Sequence, residues 1–261
     1  PGVESVRSIS SAGLSFIYVT FDWSTEIFRA RQMVSERLSA MEEGLPADVI
    51  PRMGPISSVM GEIMQIAIPI DTAKISPMQV REYADWVLRP RLMAIPGIAQ
   101  VIPIGGEVRQ FQVQPDTRRM AELGISLEQM EAAIRGFSSN TSGGFLELTG
   151  REYLIRNLGR TSSLEDLKNL AITARDGQPI LLRQIASVTF APALRRGDAG
   201  FEGKPAVILG IQKQPTADTI APTKSIEEAL VGLKASLPAG MEAPRVTFRQ
   251  ASFIEASITT L

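Results

Sequence analysis

A segment that occurs twice restricts the fold of this chain more than any other feature of its sequence. Pro1 to Val6 reads PGVESV, and Pro96 to Val101 reads PGIAQV. Both copies continue through alternating residues to a glycine turn, then into a second strand-like stretch and a helical one. The turns and second stretches are Ala12-Gly13 with 15–21 in the first copy and Gly105-Gly106 with 107–113 in the second. We therefore predict a β-hairpin followed by a helix, present twice.

A helix is also predicted before the second copy. Ser76-Pro77-Met78-Gln79 is a capping box with proline at the first helical position, and the apolar residues after it have the spacing of one buried face. The first copy has no such helix before it. We therefore expect that the chain begins inside a domain, after a strand and a helix that it lacks.

Strand-like and helical stretches alternate along the rest of the chain. Helices are predicted from Ser24 or Thr25, from Ser126, from Ser163 and across 219–233. Strands are predicted within 59–68, 153–156, 180–182, 188–190, 206–212 and 246–248. Single helices between pairs of strands, twice over, are typical of β-α-β-β-α-β modules. The predicted fold class is α+β with mainly antiparallel sheets.

The composition excludes several functions. The 261 residues include 27 Lys and Arg against 28 Asp and Glu, and this net charge of -1 argues against a general nucleic-acid binder. The sequence has no His and no Cys, which excludes a Ser-His-Asp triad, a cysteine nucleophile, a disulfide framework and a zinc site of the usual kind. A metal ion would have to bind carboxylate, carbonyl or thioether groups.

The sequence also carries no membrane signal of its own. No window approaches the roughly 18 uninterrupted apolar residues that a spanning helix needs, and no signal peptide is recognisable. Taken as complete, the chain would be soluble and untargeted, but the incomplete repeat predicts that it is one part of a larger protein.

Several separated motifs resemble those of one transporter family. They are Gly54 to Met64 (GPISSVMGEIM), Asp85 to Leu92 (DWVLRPRL), Pro96 to Gly106, Gly197-Asp198 with Gly203 to Ala206 (GKPA), Phe248-Arg249-Gln250 and Phe253-Ile254-Glu255. In this order they closely resemble the heavy-metal efflux branch of the resistance-nodulation-division (RND) transporters, over essentially the whole chain.

The resemblance implies a domain organisation. The chain would be the periplasmic loop between the first and second transmembrane helices of such a pump, built from ferredoxin-like β-α-β porter subdomains. Residues 1–56 would be the remainder of the first porter subdomain, and 57–106 with 196–251 would form the second, split one. Residues 107–195 would be an inserted α+β docking subdomain, and 252–261 the start of a transmembrane helix.

The resemblance also implies a function. Such pumps are proton-driven antiporters of the inner membrane that export a cation or a similar small substrate. They work as homotrimers with a periplasmic adaptor and an outer-membrane channel, and their porter subdomains rock between conformational states. The proton-carrying carboxylates of the family are intramembrane and lie outside this chain. We expect no cofactor, no nucleic-acid partner, and membrane contact only through segments that the chain lacks.

One short strand segment is a candidate cation contact. Strict alternation places Met60, Glu62 and Met64 on one face of the run 59–68. Thioether sulfur suits Cu(I), and a carboxylate suits harder ions; the family's zinc-type members use acidic residues in the porter cleft. The alternative is that the methionines fill the core and Glu62 ends a strand or forms a structural ion pair.

Other interpretations remain open at this stage. The chain could belong to a pump for organic compounds, or act as a pure assembly module. An enzyme is the least favoured, because no nucleophile with a partner base and no acid/base pair can be drawn from the sequence. Asp85 is interpreted as a structural partner of Arg81 or Arg89 at helical spacing, and Gly105-Gly106 lacks the spacing of a dinucleotide loop.

Overall fold

The computed structural model divides into two compact units, Pro1–Ile56 and Ser57–Leu261. The residues that it describes are 2–41, 44–46, 49–56, 61–137, 142–148, 151–156, 163–175, 177–195 and 197–259, with only the backbone path described for 142–148 and 151–156. Within these residues, no helix is long and apolar enough to cross a membrane.

The first unit contains a β-hairpin and one helix. Strands β1 (Val3–Ser11) and β2 (Leu14–Phe21) pair antiparallel, as the sequence predicts, and helix α1 (Ile27–Met41) follows. The helix begins later than Ser24 or Thr25, because the Glu26 carboxylate accepts the Phe28 and Arg29 backbone N–H groups. The hairpin leaves much apolar surface uncovered in this chain: Val6 is 62% and Ile17 64% exposed.

The second unit contains the remaining elements. In chain order they are β3 (Glu62–Pro69), α2 (Pro77–Tyr83), a π-helical turn (Ala84–Leu88), α3 (Arg89–Met93), β4 (Ile98–Gly105), β5 (Arg109–Pro115), α4 (Thr117–Leu123), α5 (Leu127–Phe137), β6 (Ser142–Leu148), β7 (Arg151–Arg156), α6 (Leu164–Lys168), β8 (Ala171–Arg175), β9 (Gln178–Leu181), α7 (Leu182–Ile185), β10 (Ala186–Pro192), β11 (Gly200–Phe201), β12 (Lys204–Lys213), α8 (Ile220–Leu233), a 3₁₀ turn (Lys234–Ser236), β13 (Arg245–Arg249) and α9 (Ala251–Thr259).

A five-stranded antiparallel sheet organises this unit. Strand β12 pairs with β3, β4 and β11, and β13 pairs with the other edge of β3, so the sheet joins segments from both ends of the unit. Side chains from the sheet and from the helices connecting its strands form one core, in which Ile66, Leu209 and Ile226 are completely buried. The order β-α-β, then β-α-β, confirms the predicted α+β class.

The chain between β4 and β11 forms a second core. Strand β5 pairs with β10, and β8 pairs with β9, both antiparallel. Met120, Leu182, Ile185 and Val188 are buried together with residues of α5 and α6. This part of the chain therefore has its own packing and is not an extension of the five-stranded sheet.

The second predicted hairpin does not form. Strand β4 pairs with β12 and β5 pairs with β10, so the two strands on either side of Gly105-Gly106 belong to different sheets. Both glycines have positive φ, +83° and +66°, and a Cβ at Gly105 would lie 2.4 Å from the Ala206 carbonyl oxygen. The glycines therefore allow the chain to leave one sheet against the backbone of β12, instead of folding back on itself.

The helix between β3 and β4 begins as predicted and then changes its winding. The Ser76 hydroxyl accepts the Gln79 N–H, and the Gln79 side chain accepts the Ser76 N–H, which completes the capping box. Pro90 has no N–H to continue the α-helical ladder. One turn before it the bonding is π-helical, and the Arg89 N–H bonds the Ala84 carbonyl.

Candidate functional site

Glu62 is the first residue of β3, and a bulge next to it decides where its side chain lies. In the pairing with β12, Ile211 lies opposite Met64 but Gln212 lies opposite Glu62, so Ile63 is an extra residue on β3. Ile63 and Met64 are both fully buried in the core of the sheet. The bulge interrupts the two-residue alternation between Met64 and Glu62.

The Glu62 carboxylate and the Met64 side chain lie on opposite faces of the sheet. Its Oε1 accepts a hydrogen bond of 2.8 Å from Gln65 Nε2, and Gln65 neighbours Met64 on the strand, so the two side chains point to opposite faces. The expectation that Glu62 and Met64 share a face is therefore wrong, because it assumes a strand without a bulge. Met60 lies outside the described residues.

This geometry gives the two described residues different roles. Met64 is completely buried and packs as a core residue, whereas Glu62 is half-buried, ends the strand and presents one carboxylate. No group of three or more acidic side chains that could hold a metal ion occurs in the part of the chain that the structure describes. The metal-contact assignment stays a prediction, and Glu62 is the residue on which it rests.

A second candidate site is a groove between the helix that follows β3 and the β5–β10 strand pair. Its volume is about 650 Å³, within the range of roughly 300–1,000 Å³ that ligand pockets occupy. The lining residues are Arg81, Glu82, Asp85, Trp86, Arg89, Val108, Arg109, Gln110, Phe111 and Phe190. The groove thus joins the helix packed on the five-stranded sheet to the second core.

Arg109 connects the two walls of the groove. Its guanidinium lies 2.6 Å from Glu82 Oε1 on α2 and 4.6 Å from the centroid of the Phe190 ring on β10. Phe111 packs against Phe190 with ring centroids 5.0 Å apart. One cation therefore contacts both a carboxylate and an aromatic surface.

The helix wall also contains an internal ion pair. Arg81 Nε donates to Asp85 Oδ2 at 2.9 Å, and Arg81 Nη1 donates to the Gly105 carbonyl at 2.7 Å. This confirms the structural interpretation of Asp85. The same arginine also fixes the start of the connection between the two cores.

Trp86 gives the groove an exposed aromatic rim. It lies in the π-helical turn and is 77% exposed, and the exposed Arg89 follows it. Sequence reasoning missed this groove, because its walls come from three separate segments whose meeting depends on tertiary structure. The local signal for it is the aromatic and basic character of 85–91 (DWVLRPR).

Comparison with known proteins places the whole chain in one family. The model of the AcrB/AcrD/AcrF family matches residues 1–261. The chain is 32% identical to cobalt-zinc-cadmium resistance protein CzcA of Cupriavidus metallidurans, and 32% identical to cation efflux system protein CusA of Escherichia coli K12. Each alignment covers 100% of this chain and 25% of the relative, so the chain spans about a quarter of the length of these proteins.

A solved structure has the same fold. The crystal structure of a heavy metal efflux pump, crystal form II, superposes with a TM-score of 0.82 at 24% identity, covering 100% of this chain and 26% of that one. These similarities confirm the recognition made from the motifs. The chain belongs to the AcrB/AcrD/AcrF family, the transporter family whose heavy-metal efflux branch its motifs resemble.

Proposed function

We propose that this chain is the periplasmic porter and docking portion of a proton-driven pump that exports heavy-metal cations. The observation that carries the proposal is the five-stranded sheet. It is assembled from 62–105 and 200–249, and the chain inserted between these two segments packs into a core of its own. The match, over all of this chain, to proteins named for cation efflux and for cobalt, zinc and cadmium resistance supports the same function. In this proposal the chain is one part of an inner-membrane protein.

The subdomains are assigned on the same basis. We assign 57–106 and 196–251 to the split porter subdomain, 107–195 to the docking subdomain and 1–56 to the remainder of the first porter subdomain. The separate pairing of β5 with β10 supports the boundary near Gly105-Gly106. Helix α9 begins at the last residue of the porter segment, Ala251, and continues into 252–261, the segment assigned to the start of a transmembrane helix.

The proposed action is mechanical. Rocking of porter subdomains needs subdomains that move as rigid bodies, and the core of the five-stranded sheet makes the second porter subdomain such a body. The connection beside Gly105 is held by the Arg81 guanidinium and by an ion pair between Glu107 and Arg195. These contacts restrain the chain where one core leads into the other, so the proposed rocking moves the two cores together and needs no covalent chemistry.

Glu62 is the proposed contact of this chain with the cation. Its carboxylate is half-buried and held by Gln65, so it is partly shielded from water and fixed in direction. A single carboxylate binds weakly, and the remaining ligands would come from other parts of the pump. We therefore expect cation binding at Glu62 to require the complete protein.

The groove lined by Trp86, Arg109 and Phe190 is the proposed contact surface for partner proteins of the pump. Tryptophan and arginine are enriched among the residues that dominate protein interfaces. The proposed assembly is a homotrimer with a periplasmic adaptor and an outer-membrane channel. The exposed aromatic rim supports a role of this groove in that assembly.

Metal tolerance of cells tests the proposal. The full-length gene is expressed in a bacterial strain without its own metal efflux pumps, and growth is measured with zinc, cobalt, cadmium, copper and silver salts. We expect tolerance to at least one of these ions, reduced by Glu62→Gln and unchanged by Glu122→Gln, whose side chain is 58% exposed on α4. Tolerance to organic dyes and to none of these ions would mean that the pump exports organic compounds and not heavy metals.

A further inference from the structure

Arg249 connects three elements at the end of the five-stranded sheet. Its Nε donates to Glu227 Oε1 on α8 at 2.7 Å, and its two terminal nitrogens donate to the Glu255 carboxylate on α9 at 2.7 and 3.1 Å. Nη1 also donates to the Ser252 hydroxyl at 3.2 Å. The guanidinium of one β13 residue thus bonds two helices, and we call this group of side chains the Arg249 clasp.

Other contacts of α9 also concentrate near its beginning. The Gln250 N–H bonds the Ile63 carbonyl at 2.9 Å, Ala251 is fully buried, and the Phe253 ring lies 6.5 Å from that of Phe248. Further along the helix, Ile258 is 64% exposed. The backbone contact fixes where α9 starts, while Glu255, one turn later, is placed to fix its direction.

The bonding geometry favours a rigid connection. A fork of two parallel N–H···O bonds to one carboxylate restrains orientation as well as distance, and a lysine at this position could not reproduce it. The Arg249 side chain is only 21% exposed, whereas Glu227 and Glu255 are 39% and 40% exposed. The cation is therefore shielded by the elements that it joins, so water competes less for it than in a fully exposed ion pair.

We infer that Arg249 is a positioning residue, which makes α9 a rigid extension of the five-stranded sheet and of α8. This inference rests on the proposed function at one point: in the pump, α9 leads from the porter subdomain toward the membrane. A displacement at one end of this connection would then be transmitted to the other with little loss. Without the clasp, α9 would pivot on the Gln250–Ile63 bond and absorb the displacement.

Spin-label distances test the positioning role directly. The chain has no cysteine, so nitroxides attach only at Ile258→Cys on α9 and Ile104→Cys on β4, both exposed positions. We expect a narrow distance distribution in the otherwise unchanged 261-residue chain. Arg249→Ala and Glu255→Gln should broaden it at least about two-fold, and Arg249→Lys should give an intermediate width.

Arg245 provides the matched control. It also lies on β13 and forms ion pairs, with Glu202 at 3.2 Å and Glu242 at 3.4 Å, but its pairs do not involve α8 or α9. Arg245→Ala should leave the distance distribution unchanged. Glu255→Gln removes a charge from a partly exposed side chain and so does not threaten folding. An unchanged width in both Arg249→Ala and Glu255→Gln would overturn the positioning role.

Efflux kinetics test transmission separately. In the full-length pump, Glu255→Gln should lower the maximal efflux rate about five-fold and leave the half-saturating metal concentration unchanged, because the coupling and not the substrate site is altered. Arg245→Ala should retain the normal rate. A full rate in Glu255→Gln, together with a broadened distance distribution, would overturn transmission through the clasp. A wild-type pump that moves no metal would overturn the proposed function, and the spin-label result would still decide the positioning role.

Discussion

The Glu62 carboxylate lies against Gly210 of the neighbouring strand. A Cβ atom at Gly210 would lie 3.2 Å from Glu62 Oε1, and Gln65, the residue opposite Gly210 in the sheet, donates to the same oxygen. The missing side chain on β12 provides the space in which this carboxylate is held. The position of the proposed cation contact therefore depends on a residue that has no functional group of its own.

Filling the space at Gly210 should displace Glu62. We expect Gly210→Val to lower the free energy of unfolding by about 1–3 kcal/mol, because its methyl groups overlap the carboxylate and break the bond from Gln65. Gly210→Ala should be close to neutral, since a shift of a few tenths of an ångström accommodates one methyl group and the substitution lowers the entropy of the unfolded chain. Urea unfolding measures both. A Gly210→Val protein as stable as the wild type would contradict this description of the site.

The sequence predicts those features that local chemistry decides. The capping box at Ser76 and the helix start at Ser126 depend on residues three positions apart, and both form, the second also with reciprocal bonds between Ser126 and Gln129. The prediction of a hairpin around Gly105 was wrong, because the pairing partners of both strands are distant in sequence. The partner of β4 lies about a hundred residues further along the chain, and that of β5 about eighty. Alternation likewise failed at Glu62, since nothing in the local residue pattern announces the bulge at Ile63.

Gly105 and Gly203, two of the glycines with positive φ, offer a test of the connection between the cores. Gly105→Ala should destabilise the protein more than Gly203→Ala. Both substitutions strain a left-handed backbone by about 1 kcal/mol, but only the Cβ at 105 meets the Ala206 carbonyl, at 2.4 Å, whereas nothing lies within 4 Å of a Cβ at 203. Thermal unfolding of the two variants isolates the steric contribution. Equal melting temperatures would mean that the chain leaves β4 with more space than the structure shows.

The ion pair across the groove should contribute little to stability. The Arg109 and Glu82 side chains are 39% and 35% exposed, so a double-mutant cycle with Arg109→Gln and Glu82→Gln should give a coupling energy of about 0.2–1 kcal/mol. High salt should reduce this coupling further. Phe190→Leu should weaken binding of a partner at the groove without unfolding the second core. A coupling energy well above this range would identify the pair as a structural element, and not as part of an open contact surface.

The Arg249 clasp should loosen in acid. Bonding to Arg249 holds the pKa of the Glu255 carboxyl below its ordinary value of 4.5. A carboxyl with a depressed pKa stabilises the folded state above its unfolded pKa, and this contribution is lost as the pH falls through the folded value. The charged groups that face it are Arg249 on β13 with Lys224 and Glu227 on α8. The Ile104–Ile258 spin-label distribution of the otherwise wild-type chain should therefore be narrow near neutral pH and broaden only when the pH falls below the ordinary pKa of 4.5. The distance distribution of Glu255→Gln should be broad at every pH and change less as the pH falls. Broadening of equal size in both proteins would assign the acid transition to carboxyls outside the clasp.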